Sequence, residues 1–392
     1  MTTTLHDMPG ALGLLIRLWL IWIFLRVLAR TFGLRLLRAW RARRWQPDPG
    51  ADPAQAALDR HLAVDAPAGA LAAAIVTPTG TRRCYAGHVD GRDSPAPDAD
   101  TRFEIGSITK TFTATLLVAM RRTGAVDLAT PVDSLLPGPA RLGRQSPRPI
   151  TLEDLATQHS GLPRLPWGPA MLAGLYLRPR QPYAWISESV LLRWLHRRRV
   201  RGVGQRYRYS NLGFGLLGLV LARRAQCTYE EALRQQVLDP LGMTATHLQS
   251  TAAPGHAVPH GPLGWRTPPW NLRALAAAGG LRSSLEDMLR WLRAHLDLQA
   301  PIDASLHAPR AATQSGRRIA LGWQISGSGD ATIVWHNGAT GGSRSLIAFA
   351  PAHRVGVVVL SSQAVSVDAL GMRLLGDAIR AAHQHAQEAD AA

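Results

Sequence analysis

The chain has 392 residues, 46% of them hydrophobic and 18% charged, a balance too apolar and too lightly charged for a disordered protein. Its 44 basic residues against 27 acidic ones leave a formal net charge of +17, and only one of the basic residues is a lysine, Lys110. Two cysteines, Cys84 and Cys227, are too few for a disulfide framework and show no Cys-x-x-Cys spacing, so both read as free, small apolar residues.

From Met8 to Ala29 the sequence MPGALGLLIRLWLIWIFLRVLA is long enough and apolar enough to cross a hydrocarbon layer of ~30 Å as a helix. Arg26 is placed to snorkel at its end, whereas Arg17 lies well inside it. A buried or interfacial helix is the alternative. A cleaved signal peptide fits less well, because a basic n-region and a small-residue cleavage site are both missing. Residues 1–30 are therefore read as an N-terminal membrane-anchor helix.

Arg30, Arg35, Arg38, Arg41, Arg43 and Arg44 follow, with Trp40 and Trp45 interleaved, a basic stripe suited to an anionic lipid surface. Nucleic acid is not an expected partner, since no nucleic-acid-binding motif occurs in the chain. The positive-inside rule would keep these arginines in the cytoplasm. Residues 46–56, QPDPGADPAQA, read as a Pro/Ala/Asp linker, so 31–60 is taken as a juxtamembrane segment and linker ahead of a folded domain at 61–382 and a flexible tail at 383–392.

Within the folded part, Ala70 to Thr77 and Arg82 to Gly87 predict two short strands around a Pro-Thr-Gly-Thr turn. Ser107 to Arg122 predicts a long helix that stops at Gly124. Residues 125–300 are helical and loop-rich, with helices expected at Asn211 to Arg224, Tyr229 to Val237 and Ser284 to Leu298. Strands return at Ile319 to Ile325, Ala331 to His336, Ser345 to Ala350 and Val355 to Ser361, before a last helix over Val367 to Ala382. Strands at both ends with helices between them imply a sheet completed by distant segments.

The chemistry-bearing residues begin with Ser107-Ile108-Thr109-Lys110, which places a hydroxyl and an amine on one helix face. A serine becomes a nucleophile when a neighbour takes its proton. Lysine can do this once its pKa is lowered, and arginine cannot. In a chain that uses arginine for every other cationic side chain, the lone lysine stands where a removable proton is needed. A phosphate-binding loop is excluded, because Thr109 and Glu104 occupy the positions that would require glycine.

Tyr207-Arg208-Tyr209-Ser210-Asn211 opens another expected helix. Its phenol could relay a proton and its amide could hold a substrate amide and the lysine amine, although a plain N-cap explains Ser-Asn equally well. His336-Asn337-Gly338-Ala339 ends a strand, and there the N–H of Ala339 with that of Ser107 could form an oxyanion hole. His256 and His260 have a loose metal-like spacing without partner residues and read as loop residues. No metal or organic cofactor is expected.

Taken in order, these three elements resemble the serine β-lactamase and penicillin-binding-protein superfamily, in its class C β-lactamase-like branch. The likeness spans about residues 65–380. It includes Phe103-Glu104-Ile105-Gly106, His159-Ser160-Gly161-Leu162-Pro163, Ala278-Gly279-Gly280-Leu281 and Leu321-Gly322-Trp323. It implies an α/β (α+β) fold, an antiparallel sheet flanked by terminal helices, with an all-helical subdomain and the active site between them.

Residue by residue, the resemblance makes Ser107 the acylated nucleophile, Lys110 its base and Tyr209 the proton relay. Asn211, His336, Gly338 and Ala339 become substrate-binding positions. Where class C β-lactamases carry Lys-Thr-Gly, this chain has His-x-Gly, as in DD-peptidase and esterase members. The expected function is serine acyl hydrolysis of a D-Ala-type peptide, a β-lactam or an ester. The alternative is a non-catalytic penicillin-binding sensor that keeps the fold. The expected location is the bacterial inner membrane, held by a single span, with the catalytic domain in the periplasm. Seven arginines between 193 and 208 offer an attraction for anions or simply a solvated face.

Overall fold

The structure is a computed structural model that describes residues 36–137, 148–166, 168–197, 200–248 and 253–390, with isolated positions at 18, 21 and 33. Apart from Leu18 and Ile21, the span expected at 8–29 lies outside these residues. Among the described residues no helix is long and apolar enough to cross a membrane.

The strands, in chain order, are β1 (Ala70–Thr77), β2 (Gly80–Gly87), β3 (Arg102–Glu104), β4 (Arg282–Ser284), β5 (Ala311–Ala312), β6 (Arg318–Ile319), β7 (Gln324–Ser326), β8 (Ile333–Ala339), β9 (Arg344–Ala350) and β10 (Val355–Ser361). Eight of them form one antiparallel sheet in the order β2-β1-β10-β9-β8-β7-β6-β5, while β3 and β4 pair separately. The join between the two ends of the chain is β1 against β10, with Ala73 opposite Val359. Both strands read as continuous apolar runs because both faces of the sheet are covered, and all seven residues of β10 are buried. On one face Leu71, Val357 and Val359 pack with Leu58, Leu370 and Leu374 of the terminal helices. On the other, Ala72, Val358 and Leu360 join the large core of the helical region.

The helix Thr109–Arg122, which carries Lys110, runs through that core, with every residue from Thr109 to Met120 buried. Its buried threonines are satisfied by turning back onto the helix: Thr111 Oγ1 donates to the Ile108 carbonyl at 2.8 Å and Thr115 Oγ1 to that of Thr111 at 3.0 Å. Phe112 stacks on Trp291 with ring centroids 3.8 Å apart, which fixes this helix against Leu285–Asp297.

Four expectations are corrected. The linker assigned to 46–56 is interrupted by a helix, Pro53–Val64, so the folded part begins before 61. Asp52 caps this helix by accepting from the Ala54 N–H at 2.8 Å, Pro53 occupies its first turn, and Ala54 and Leu58 are buried on the sheet. A composition reading missed a helix-start signal. Likewise the last helix does not stop at 382 but spans Asp368–Asp390, because residues 383–390 contain good helix formers and neither Gly nor Pro.

The strand expected over Ile319–Ile325 is broken into β6 and β7 by a turn at Gly322, whose φ of 73° belongs to the left-handed region. The helix expected over Tyr229–Val237 is regular only to Leu233 and then widens into a π-helical turn, Arg234–Leu238.

Candidate active site

Ser107 sits in a single 3₁₀ turn, Gly106–Ile108, that leads directly into the buried helix. Gly106 is needed there for two reasons. Its φ is +50°, and a Cβ on it would lie 2.6 Å from the backbone N of Ala339. A Cβ on Gly338 would lie 2.0 Å from the Ile105 carbonyl. The end of β8 is therefore pressed against the serine turn, and two glycines set the distance.

Lys110 is completely buried. Its Nζ lies 3.0 Å from Ser107 Oγ, 3.0 Å from Asn211 Oδ1 and 2.5 Å from the Ala278 carbonyl. Burial holds its pKa well below the ordinary lysine value, and the Arg164 guanidinium lowers it further. The Tyr209 hydroxyl donates to Ser107 Oγ at 2.7 Å. Burial pushes this phenol upward, so it stays protonated at neutral pH. The lysine is thus poised as the proton acceptor and the tyrosine as a donor, with the serine oxygen between them.

Asn211 opens the helix Asn211–Ala225 just after Ser210, which caps it by accepting from the Gly213 N–H at 2.8 Å. The cap therefore falls on Ser210, and the adjacent Asn211 is left to accept from Lys110 Nζ. The Asn211 amide also donates to the Tyr183 hydroxyl at 3.3 Å, leaving its oxygen fixed toward Lys110.

These residues open on a cleft of about 580 Å³ that brings Ser107, Tyr209 and Asn211 together with Gly338 and Ala339. His336 departs from expectation. It is buried and does not line the cleft, whereas Asn337, whose amide donates to the Asp368 carboxylate at 2.9 Å, and Gly338 do. Burial and the neighbouring Lys110 lower the pKa of the His336 ring to about 3. It is therefore neutral at physiological pH.

Sequence reasoning missed Arg164, Tyr183, Trp270, Arg344 and Asp368, all of which line the cleft. No spacing rule links them, because they arrive from loops, from the first residue of β9 and from the start of the last helix. It also passed over Glu104 as more than part of a likeness. This buried carboxylate accepts from the Trp270 N–H at 2.7 Å and from Thr340 Oγ1 at 2.7 Å, and it lies 3.6 Å from Arg282. It ties β3 to both rims of the cleft. Burial raises its pKa, and Arg282 opposes that shift.

The five described arginines of the 193–208 run are all exposed. His256 is buried with its Nδ1 2.6 Å from an Arg282 nitrogen. No group of metal-ligating side chains occurs among the described residues. Cys84 and Cys227 are free thiols, as expected.

The beta-lactamase family model matches residues 60–380. The chain belongs to the β-lactamase family. Within it, the chain is 27% identical over 314 residues to the D-alanyl-D-alanine-carboxypeptidase/endopeptidase AmpH of Escherichia coli (strain K12), covering 74% of this chain and 79% of that one. A β-lactamase of Providencia stuartii is 28% identical over 229 residues, covering 56% of this chain and 54% of that one.

Among solved structures, the β-lactamase/D-alanine carboxypeptidase of Yersinia pestis, complexed with citrate, superposes with a TM-score of 0.68 at 25% identity. The match covers 84% of this chain and 97% of that one. A class C β-lactamase from Rhodobacter sphaeroides shares the fold with a TM-score of 0.70 at 22% identity, over 84% of this chain and 99% of its own. The expected α/β architecture and the serine hydrolase class both follow from this membership.

Proposed function

We propose that this β-lactamase-family enzyme cleaves the amide bond of D-alanyl-type peptides through an acyl-enzyme on Ser107, and that β-lactams and activated esters acylate the same residue. The observation that carries this reading is the buried Lys110 Nζ, held 3.0 Å from both Ser107 Oγ and Asn211 Oδ1. A neutral lysine takes the Ser107 proton as Oγ bonds to the substrate carbonyl carbon. The backbone N–H groups of Ser107 and Ala339 receive the developing oxyanion. Tyr209 gives its proton to the leaving nitrogen and is reprotonated from the Lys110 ammonium, and a water then repeats the sequence to release the acid.

Arg164 and Arg344 in the cleft favour a substrate with a free carboxylate. Neutral His336 in place of lysine removes one positive charge near that carboxylate, which supports peptide or ester cleavage over fast β-lactam turnover. The names of the AmpH and Yersinia pestis relatives support the same substrate class.

Anchoring by residues 8–29 and a periplasmic catalytic domain complete the proposal. The apolar stretch and the substrate class support them, while the arginines that follow the stretch favour the opposite orientation. A reporter fused at the C-terminus decides the orientation.

Mass spectrometry after exposure to a labelled penicillin or an activated ester should show one adduct, on Ser107. Turnover of a D-Ala-D-Ala peptide, a cephalosporin and a short-chain ester ranks the substrates. A stable adduct lasting hours with every substrate, in place of deacylation in seconds, would make the protein a sensor and overturn the enzymatic reading.

A further inference from the structure

A groove of about 840 Å³ opens between the helical residues 36–44, the end of the helix Pro53–Val64 and the loop 260–266. Arg41, Arg92 and Arg266 line it, together with His88 and His260. Arg266 Nε is paired with Asp90 at 2.7 Å, whereas no ion pair engages Arg41 or Arg92 among the described residues. His260 is only 3% exposed, and its ring Nδ1 has no hydrogen-bond partner. Its backbone N–H donates to the Ser362 carbonyl at 2.7 Å, so the end of the sheet fixes its position. The groove thus gathers two guanidinium groups that no ion pair engages among the described residues, donors suited to a phosphate oxygen, with the buried His260 fixed in its wall.

The rim decides which phosphate. Trp40 beside Arg41 is 51% exposed, and Leu36 and Leu37 on the same helical segment are 57% and 40% exposed. Trp265, between the groove residues Gly264 and Arg266, is 48% exposed, and Leu263 is 45% exposed. A soluble anion needs no apolar rim. Tryptophan and leucine around a cationic hollow match the headgroup level of a bilayer, where ring and chain enter the acyl boundary while arginine meets phosphate. The segment that supplies Arg41 and Trp40 also continues N-terminally into the apolar stretch 8–29.

We propose that this groove is a binding site for the headgroup of an anionic phospholipid, with Arg41 and Arg92 as its phosphate contacts and Trp40 and Trp265 entering the membrane interface. The proposal deepens the membrane reading above by naming the face that lies on the bilayer. Its test does not depend on whether residues 8–29 insert.

The full chain in non-ionic detergent is titrated with dihexanoyl-phosphatidylglycerol below its micelle concentration, followed by tryptophan fluorescence. Dihexanoyl-phosphatidylcholine and inorganic phosphate serve as parallel probes. Saturable binding of the phosphatidylglycerol is expected, with binding at least tenfold weaker for the phosphatidylcholine and for phosphate. The double variant Arg41→Glu, Arg92→Glu should lose binding by tenfold or more while its rate of acylation by an activated ester stays unchanged, which shows that it is folded. Equal binding of inorganic phosphate would make the groove a soluble-anion site and overturn the lipid assignment. Absence of phosphatidylglycerol binding, or an unaffected double variant, would overturn the site itself. Failure of the acyl-enzyme reading would show instead as an absent Ser107 adduct with headgroup binding intact.

Discussion

The Tyr209 hydroxyl donates to Ser107 Oγ across 2.7 Å, although the two residues are 102 positions apart in the chain. With Lys110 Nζ on the other side of the same oxygen at 3.0 Å, the serine has a proton acceptor and a proton donor fixed before substrate arrives. Such preorganisation removes the reorganisation that free side chains would need in the transition state. Each partner's contribution can be measured separately.

Replacing Lys110 removes the acceptor. Lys110→Met, which nearly conserves volume at a completely buried position, should lower the acylation rate by about 10³-fold, within the range for a general base. Lys110→Arg should be as inactive, because a guanidinium keeps its proton. Stopped-flow acylation by a fluorescent penicillin, with circular dichroism as the folding control, checks both. An active Arg variant would refute the role of Lys110 as base.

Tyr209→Phe keeps the ring and deletes only the hydroxyl. A loss of about 10²-fold or more in amide cleavage is expected, with a smaller loss for an activated ester, whose leaving group needs less protonation. Equal losses on the two substrates would assign Tyr209 to orientation of Ser107.

The pH dependence follows from the depressed pKa of Lys110. Activity requires the neutral amine, so kcat/KM should rise as pH increases through that pKa and then level off. Arg164 is one cause of the depression, so Arg164→Ala should raise the lysine pKa and move the rising limb to higher pH. A limb that stays in place, or moves to lower pH, contradicts the electrostatic coupling.

Gly338→Ala should abolish acylation. The added methyl would meet the Ile105 carbonyl at 2.0 Å and the Ser345 hydroxyl at 2.2 Å, so β8 must retreat from the serine turn. Asn337→Ala, which on the same strand removes only the amide bonded to Asp368, should leave folding intact, which separates a displaced strand from a lost contact. Acylation kinetics and thermal melting on the two variants report this difference.

Acid should destabilise the fold below neutral pH. His336 is held at about 3 and His307 at about 4, mainly by burial, and His295 is held well below its ordinary value. Each binds a proton in the unfolded chain below pH ~6.5 but stays neutral in the native one. The sign is therefore a loss of stability as pH falls from ~6.5, steepest above the native pKa values. Each histidine contributes up to about 1.4 kcal/mol per pH unit. Urea unfolding midpoints between pH 7 and 4 measure this slope. The double variant His295→Gln, His307→Gln should flatten it if it folds, and His336→Gln offers an independent check.

The residues that perform the chemistry were legible in the sequence to the extent that they act through local spacing. Ser107 and Lys110 share one turn, and a composition with a single lysine made that turn visible. Asn211 and Tyr209 were identifiable from one short motif. His336 was chosen as a contact, yet it is buried and Asn337 lines the cleft, because burial on β8 is decided by what distant segments pack against it. Arg164, Glu104, Arg344 and Asp368 had no local signature because each matters through a partner distant in sequence.

The sequence by itself determined the candidate nucleophile and base, the class of fold and most of the strands and helices, since these rest on short-range periodicity, caps and motif spacing. The tertiary structure alone decided that the Lys110 pKa is depressed, because that shift is set by complete burial and by Arg164, neither of which is encoded near Lys110 in the chain. It also decided the distance between the serine turn and β8, fixed by Gly106 and Gly338 in segments more than 200 residues apart. Desolvation and close packing are properties of the assembled core, and no local pattern carries them.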